Sequence, residues 1–475
     1  MTTPAADKPK PGLSWRTKLA LGCILSPLAL LLACSLVGGI SYWMFLRRSH
    51  DQMWKEITLI RQTDAPLNST ELFYQYSYDP AVDEGDDAED ITEELTAQLA
   101  FSSEPGFQKS VNHLPIVGIE RDAPAPGTDW PKIAEAEAFL AERQAWLEFC
   151  ESLPRRRFKA HYAEDVRFAM ATKLTLASQL RTGIRVLSLQ AHVDLHQQKT
   201  AAAIKRIEQI LVLARSMGNE PSIISQLVRN ALIEQALRNL GVALSHGEVA
   251  DEDIVRLQSL LRDSDFRASL QLALKGERAW YFTEMSLPLE WFCAKGGAPE
   301  NMIFESTSRT PAREADAALM LSNFRRLLAA NDESLRAAIQ ESKVLEQEYK
   351  KLSSSPTRLL YVQNLLLFPG LHVTPRAFAR LDARCRCMDA LLAAIRFHRA
   401  NGRWPTKLEE LTPEFLPTVP IDVFDLQPLR LFVTDQELKI YSVGENELDD
   451  GGTWTDRQLT DVGFALPIGQ TAAKP

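Results

Sequence analysis

The residues best suited to chemistry lie near the end of the chain, in and just after the stretch YSVGENELDDGG at residues 441–452. Its adjacent carboxylates can attract a cation, and Gly451 and Gly452 let the backbone turn sharply so that carbonyl oxygens face inward. A solvent-facing acidic turn that holds no ion is the alternative, and the residues alone do not decide between the two. The acids that could line such a site are Asp449, Asp450, Asp456 and Asp461.

A second pattern with metal-binding spacing is the pair His192 and His196, which lie one helical turn apart. Two histidines at this spacing can form one face of a zinc site. A zinc protease would carry Glu directly after the first His, where this chain has Val193, and no third ligand is evident. We therefore expect a structural or surface pair.

Other chemistry-bearing motifs are weaker still. In KGERAWY, Glu277 precedes Arg278, and adjacent residues do not face each other on a helix, so each needs its own partner. The chain has no nucleophile elbow, no phosphate-binding loop and no dinucleotide fingerprint. No catalytic or cofactor-binding residue is therefore predicted, although acids scattered through the helical part leave a hydrolase as an alternative.

Composition and charge narrow the function classes further. The chain has 475 residues, of which 45% are hydrophobic and 24% charged, as expected of a protein that buries real cores. Its net charge of -9 argues against a general nucleic-acid binder, which is usually basic. The short basic run RRRFK at 155–159 holds a single aromatic ring and is interpreted as a solvated face.

One segment departs from the globular pattern. No charged residue occurs from Leu19 to Leu46, a run longer than the roughly 20 residues that cross a bilayer. Tyr42 and Trp43 lie where aromatic rings favour the headgroup layer, so a membrane helix is predicted. A lipoprotein signal cut before Cys34 is the alternative. Lysines and arginines flank both ends, and we expect the amino end inside and the bulk of the protein periplasmic or otherwise extracytoplasmic.

The rest of the chain divides by pattern. The acidic run DEGDDAED at 83–90 predicts a solvated linker, because like charges repel. Apolar residues recur every three or four positions from about 131 onward, which predicts helices, and Gly218 suits a helix end in the left-handed conformation. The predicted parts are a cytoplasmic tail at 1–18, a transmembrane helix at 19–46, an acidic and partly irregular linker region at 47–130, a helical-hairpin domain at 131–370 and a small α+β domain at 371–475.

The last part predicts one long helix followed by a β-hairpin. From Phe378 to Ile395 the apolar residues are spaced three and four apart, which predicts a narrow apolar stripe on one side of a helix spanning 376–400. Gly402 ends this helix. LRLFVT and LKIYSV, joined by DQE, are typical of two hairpin strands. The fold class predicted for the chain is therefore mainly α with a small α+β C-terminal domain.

The order of these features, in residues 376–467, resembles the globular domain of the major pseudopilin G of type II secretion systems. NGRWP at 401–405 corresponds to the family's NGxYP turn, and Asp422 lies near its DPWG position, although Val423 and Phe424 replace Pro and Trp. YSVG at 441–444 corresponds to its YSxG motif. The resemblance implies a long helix across an antiparallel sheet and a Ca²⁺ ion in the loop after the hairpin.

The front of the chain departs from that family. The apolar segment carries neither the Glu nor the Gly-Phe processing site of a pseudopilin, so we do not expect cleavage by a prepilin peptidase or assembly into a fibre. The middle, with RRRFKAHYAEDV and LKGERAWY, resembles uncharacterised bacterial membrane-anchored helical proteins. That resemblance implies an architecture and no activity.

The expected function is a non-catalytic scaffold or interaction protein, anchored in the lipid bilayer and bound to an envelope protein that the sequence does not identify. An accessory component of a type II secretion or pilus-like assembly, with secretion-system components as partners, is one alternative. A hydrolase that uses acids of the helical domain is the other.

Overall fold

The computed structural model describes residues 15–63, 65–77, 88–120, 122–163, 165–286, 312–454 and 460–468. The first fourteen residues of the predicted tail, most of the acidic run at 83–90, and Asp456 lie outside the described residues. Helix α1 spans Trp15–Arg61 and contains the predicted transmembrane segment. Its described part from Leu30 onward is long and apolar enough to cross a membrane, and the side chains from Leu30 to Met44 are exposed rather than packed against the body.

The region that follows α1 contains short helices. They are α2 (Ser69–Ser77), α3 (Thr92–Gln98) and α4 (Phe107–Val111), followed by α5 (Ile133–Ala141) and α6 (Gln144–Ser152). A short parallel pair, β1 (Glu89–Asp90) with β2 (Phe158–Lys159), joins the two ends of this region. Leu95 and Leu99 are fully buried because they pack into the main core, so this part of the predicted linker region is held against the helical body.

The helical body is built from helices joined by short links, as the predicted helical hairpins require. They are α7 (Thr175–His196), α8 (Thr200–Ser216), α9 (Ile223–His246), α10 (Asp251–Arg262) and α11 (Phe266–Ser286). Ser222 caps α9 by accepting hydrogen bonds from the backbone N–H groups of Ile224 and Ser225. The prediction that Gly218 takes the left-handed conformation is wrong, because its φ is not positive; a turn closed by its N–H on the Arg215 carbonyl follows α8 instead.

Four further helices complete the body and lead into the C-terminal part. They are α12 (Arg313–Glu333), α13 (Leu335–Ser354), α14 (Val362–Leu371) and α15 (Thr374–Asn401). Helix α12 packs along α1 beyond the apolar segment, and Arg325 pairs there with Glu56. The carboxylate of Asp316 in α12 accepts hydrogen bonds from the backbone N–H groups of Gln363 and Asn364. These groups lie in the first turn of α14, where N–H groups have no partner within the helix.

The C-terminal sheet has three antiparallel strands in the order β3 (Arg430–Val433), β4 (Glu437–Ser442), β5 (Val462–Pro467). The predicted hairpin is β3–β4, and α15 lies across β4 and β5. The opposite side of α15 packs against α9, α10, α11 and α13. The residues of the predicted stripe are all buried, but the prediction that only one narrow side of the helix is covered is wrong. Helix α15 is buried on both sides, because the body and the sheet share one hydrophobic core.

The predicted fold class is confirmed in its coarse form, a mainly helical chain with a small antiparallel sheet. The predicted long helix across an antiparallel sheet is observed. The resemblance to pseudopilin G itself stays a prediction.

Candidate functional site

The loop between β4 and β5, residues 443–461, contains the acids that the sequence singled out and is called here the C-terminal loop. Asp461 lies at its end, directly before β5, and is fully buried. Its two carboxylate oxygens accept the backbone N–H groups of Asp450 at 3.2 Å and of Gly452 at 2.7 Å. Asp461 therefore holds together the segment that the sequence predicted as a cation site.

Two consecutive glycines shape this segment. Gly451 and Gly452 both adopt left-handed φ values, 72° and 70°, where other residues are strained. A Cβ atom at Gly452 would also lie 3.0 Å from the ring of Tyr441. The close approach of the backbone to that ring is what allows the Gly452 N–H to reach Asp461.

Two acids are exposed among the described residues of the loop, and both have local partners. Asp449 accepts hydrogen bonds from the Tyr441 hydroxyl at 3.1 Å and from the Gly451 N–H at 3.0 Å. Asp450 accepts one from the Asn446 amide at 2.8 Å. Both side chains remain solvent-accessible, so oxygen lone pairs are left for a ligand.

The electrostatics of the loop combine several negative charges with the guanidinium of Arg430, whose Nε lies 3.8 Å from Asp449 Oδ2. Burial raises the pKa of Asp461, and the charges of Asp449 and Asp450 raise it further, while the two backbone N–H groups oppose the shift. Burial and the hydrogen bond to Asp449 raise the pKa of Tyr441 to about 12. A bound cation would relieve the repulsion among the three carboxylates.

The structure thus brings together Asp449, Asp450 and Asp461, whereas Asp456 lies outside the described residues. Within the described ranges, no group of three or more His, Cys, Asp or Glu residues is arranged to hold a metal ion. A Ca²⁺ ion needs six to eight oxygens, which backbone carbonyls would have to help supply. The calcium site therefore stays a prediction.

The sequence analysis missed the residue that docks this loop on the body. Glu447, in the left-handed conformation at φ 58°, points its carboxylate at one face of α13. It accepts from Lys343 at 2.7 Å, Arg336 at 3.1 Å and Gln340 at 3.1 Å. Partial burial acts to raise the pKa of Glu447, but the hydrogen bond to Lys343 and the two positive charges hold it below its ordinary value. The helical spacing of the three donors was the only signal in the sequence.

Asp422 fixes the other side of the loop. It is fully buried and accepts from the Ser442 hydroxyl at 2.8 Å, the Val443 N–H at 2.9 Å and the Phe424 N–H at 3.0 Å. These bonds join the proline-rich segment before β3 to the end of β4. Burial nevertheless raises the pKa of Asp422.

A second polar cluster lies inside the helical body. Glu220, in the link between α8 and α9, is 1% exposed and accepts from the Tyr76 hydroxyl and, at 2.9 Å, from the Tyr162 N–H. Burial raises its pKa to about 7. Glu277 accepts from the Ile223 N–H, and burial raises its pKa to about 7 as well, whereas Arg278 donates to the Pro66 carbonyl. Glu277 and Arg278 thus have separate partners, as expected.

The predicted histidine pair is part of the packing. His192 is buried, which lowers its pKa to about 4. His196 lies against Trp130 and within 2.9 Å of the Pro124 carbonyl. Each ring is therefore held by its surroundings, and a shared metal is not needed to explain their positions.

No protein-family model, no curated protein and no solved structure matches this chain. Function is therefore inferred from the geometry above.

Proposed function

We propose that this protein is a non-catalytic scaffold, anchored in a membrane by α1, that presents a pseudopilin-G-like module in a fixed orientation to another protein of the cell envelope. The module comprises α15, β3–β5 and the C-terminal loop, and it faces the extracytoplasmic side. The observation that carries the proposal is the docking of Glu447 on Arg336, Gln340 and Lys343 of α13.

A module tethered only by its helix could rotate, whereas this one is held at several points. Helix α15 is packed between the sheet and the body, and Arg384 pairs with Glu234 of α9 at 2.9 Å. Asp389 forms an ion pair with Arg262 and accepts a hydrogen bond from the Gln258 amide, both of α10. Rigid presentation of this kind reduces the ordering cost when a partner binds.

The edge strand β3 of the module offers an apolar contact. Phe432, on this strand, is 48% exposed. An edge strand presents unpaired backbone groups, which suit the addition of a partner strand. We place the binding surface here, and we propose that Ca²⁺ in the C-terminal loop stiffens it.

A hydrolase is less well supported. Its best acids are Glu220 and Glu277, since both have pKa values near neutrality, as a general acid requires. Glu220 is 1% exposed, however, and Glu277 accepts from the Ile223 N–H beside it. These contacts favour a structural role for both carboxyls.

Site-specific photo-crosslinking of the full chain in its native membrane tests the proposal. A photoreactive phenylalanine analogue at Phe432 should form an adduct with one discrete envelope protein. The same analogue at Val255, which is 47% exposed on α10, is the control and should not. Absence of an adduct from Phe432, or the same set of adducts from both positions, would contradict the proposal. A type II secretion component in the Phe432 adduct would favour the accessory-component alternative.

A further inference from the structure

A cavity of about 700 Å³ lies where the membrane helix meets the body. Its walls come from α1, the first half of α12, the second half of α13 and the short helical turn Pro356–Leu360. Polar side chains are prominent in its lining, among them Lys55, Ser322, Lys351, Thr357 and Tyr361. The cavity is separate from the C-terminal loop and from the proposed binding surface.

The cavity lies close to the bilayer surface. Lys55 follows Leu46, the last residue of the uncharged segment, by nine positions, which is about 13 Å along a helix axis. The uncharged segment is longer than the bilayer core, so tilt of α1 brings this point nearer the membrane plane. Lys55 therefore stands at the height of the lipid headgroups or just above them.

The charges that face the cavity are not balanced. Glu56 is paired with Arg325 at 2.7 Å, and Glu348 with Arg326 at 2.7 Å. Arg326 also pairs with Glu341 at 2.6 Å, so these groups together carry one net negative charge against the two lysines of the lining. Lys55 and Lys351 have no ion-pair partner in the part of the chain that the structure describes. Two ammonium groups are thus left to meet an anion.

We propose that this cavity binds the phosphate group of an anionic phospholipid at the bilayer surface. Lys55 and Lys351 supply the charge, and the hydroxyls of Ser322, Thr357 and Tyr361 can donate to phosphate oxygens. Leu359, beside the cavity on the same turn as Thr357, is 71% exposed. An exposed leucine next to cationic groups suits the apolar part of a lipid better than it suits free phosphate. This inference rests on the proposed membrane anchor α1 but not on the scaffold role.

The binding test uses the full chain in a neutral detergent and follows the thermal midpoint of unfolding, Tm. A short-chain anionic phospholipid should raise Tm by several degrees, because a ligand that binds only the folded state stabilises it. The zwitterionic lipid of the same chain length and inorganic phosphate should give less than half of that shift. In a K55Q/K351Q variant the shift should fall by at least half.

The matched control is a K205Q/K407Q variant, which removes the same charge at exposed lysines away from the cavity and should keep the wild-type shift. An anionic lipid that shifts Tm equally in both double variants would overturn the proposal. So would the absence of any shift in the wild-type protein. A full shift with inorganic phosphate alone would overturn the assignment to a lipid.

Discussion

The carboxylate of Glu447 lies 2.7 Å from the ammonium group of Lys343, across 104 residues of chain. Through this contact and those to Arg336 and Gln340, the C-terminal loop becomes part of the helical body rather than a free turn. The same loop contains the three carboxylates that could hold a cation. Docking and ion binding therefore act on one short segment.

Replacing Glu447 by Gln should lower the free energy of unfolding by about 1–2 kcal/mol, because a partly buried charged hydrogen-bond acceptor is lost. The control is Glu445→Gln, which removes the same charge two residues earlier where no ion pair is seen among the described residues. Because the folded pKa of Glu447 is depressed, its contribution is present above the unfolded pKa and disappears as the pH falls. Equal Tm values for the two variants at pH 7 would contradict the docking role.

Glu220→Gln should stabilise the protein at high pH and leave it unchanged at low pH. The folded pKa of Glu220, about 7, lies above its ordinary value of 4.5, so the wild-type protein loses stability as the pH rises through this interval. The loss amounts to about 3 kcal/mol at pH 8, since each pKa unit is worth about 1.4 kcal/mol.

Thermal unfolding at pH 4 and pH 8 in the same detergent measures this difference. We expect the Tm of Glu220→Gln to exceed that of the wild type at pH 8 only. Glu252→Gln, at an exposed position of α10, is the control and should give no such pH-dependent gain. If Glu220→Gln is less stable than the wild type at pH 8, the ionised carboxylate of Glu220 stabilises the folded protein, and the prediction is wrong.

Millimolar Ca²⁺ should raise the Tm of the full chain by a few degrees if the C-terminal loop binds it, and the same concentration of Mg²⁺ should not. Asp450→Asn and Asp461→Asn should each reduce the shift. Asp450 is the cleaner test, because the carboxylate of Asp450 has one hydrogen bond among the described contacts, from Asn446. The carboxylate of Asp461, in contrast, holds two backbone N–H groups. Asp435→Asn, in the exposed hairpin turn, is the control. No shift in the wild type would favour the plain acidic turn.

Gly276→Ala should be strongly destabilising. A Cβ atom there would lie 1.8 Å from the Pro221 carbonyl oxygen, so α11 would have to move away from the link between α8 and α9. Such overpacking costs about 1–3 kcal/mol or more. Gly241→Ala in α9 is the matched change, because its Cβ would meet nothing closer than 3.9 Å, and we expect it to gain about 0.5–1 kcal/mol. Comparison of Tm and folded yield distinguishes the two.

Replacing both Leu31 and Leu36 by Arg should release the protein from membranes. When isolated membranes are washed at alkaline pH, the variant should appear in the soluble extract rather than in the membrane pellet. Each arginine at the centre of a membrane helix raises the free energy of inserting that helix by about 2.5–3.5 kcal/mol. Both leucines are exposed, so the folded body does not depend on them. The control places arginine at Val255 and Val344, which are 47% and 45% exposed on the body, and this variant should stay in the membrane pellet. Release of the control, or retention of the test variant, would argue against a membrane span.

The sequence was enough to predict features that depend on neighbours along the chain. The uncharged run from Leu19 to Leu46 predicted the apolar helix, since length and hydropathy are properties of one segment. The two short apolar segments LRLFVT and LKIYSV, joined by DQE, predicted β3 and β4, which differ from the predicted strands by a residue or two. Gly402 ends α15, as expected, and the structure gives it a left-handed φ of 68°.

The tertiary structure decided what depends on distant residues. The apolar spacing predicted one stripe on α15, but the helix is buried on both sides. The helical body covers the second side, where the sequence has polar or small residues that show no apolar pattern. The docking of Glu447, the raised pKa of Glu220 and the cavity beside Lys55 each require groups far apart in the chain to meet. Periodicity records only which side of an element is apolar, whereas electrostatics depends on the partner that packing supplies.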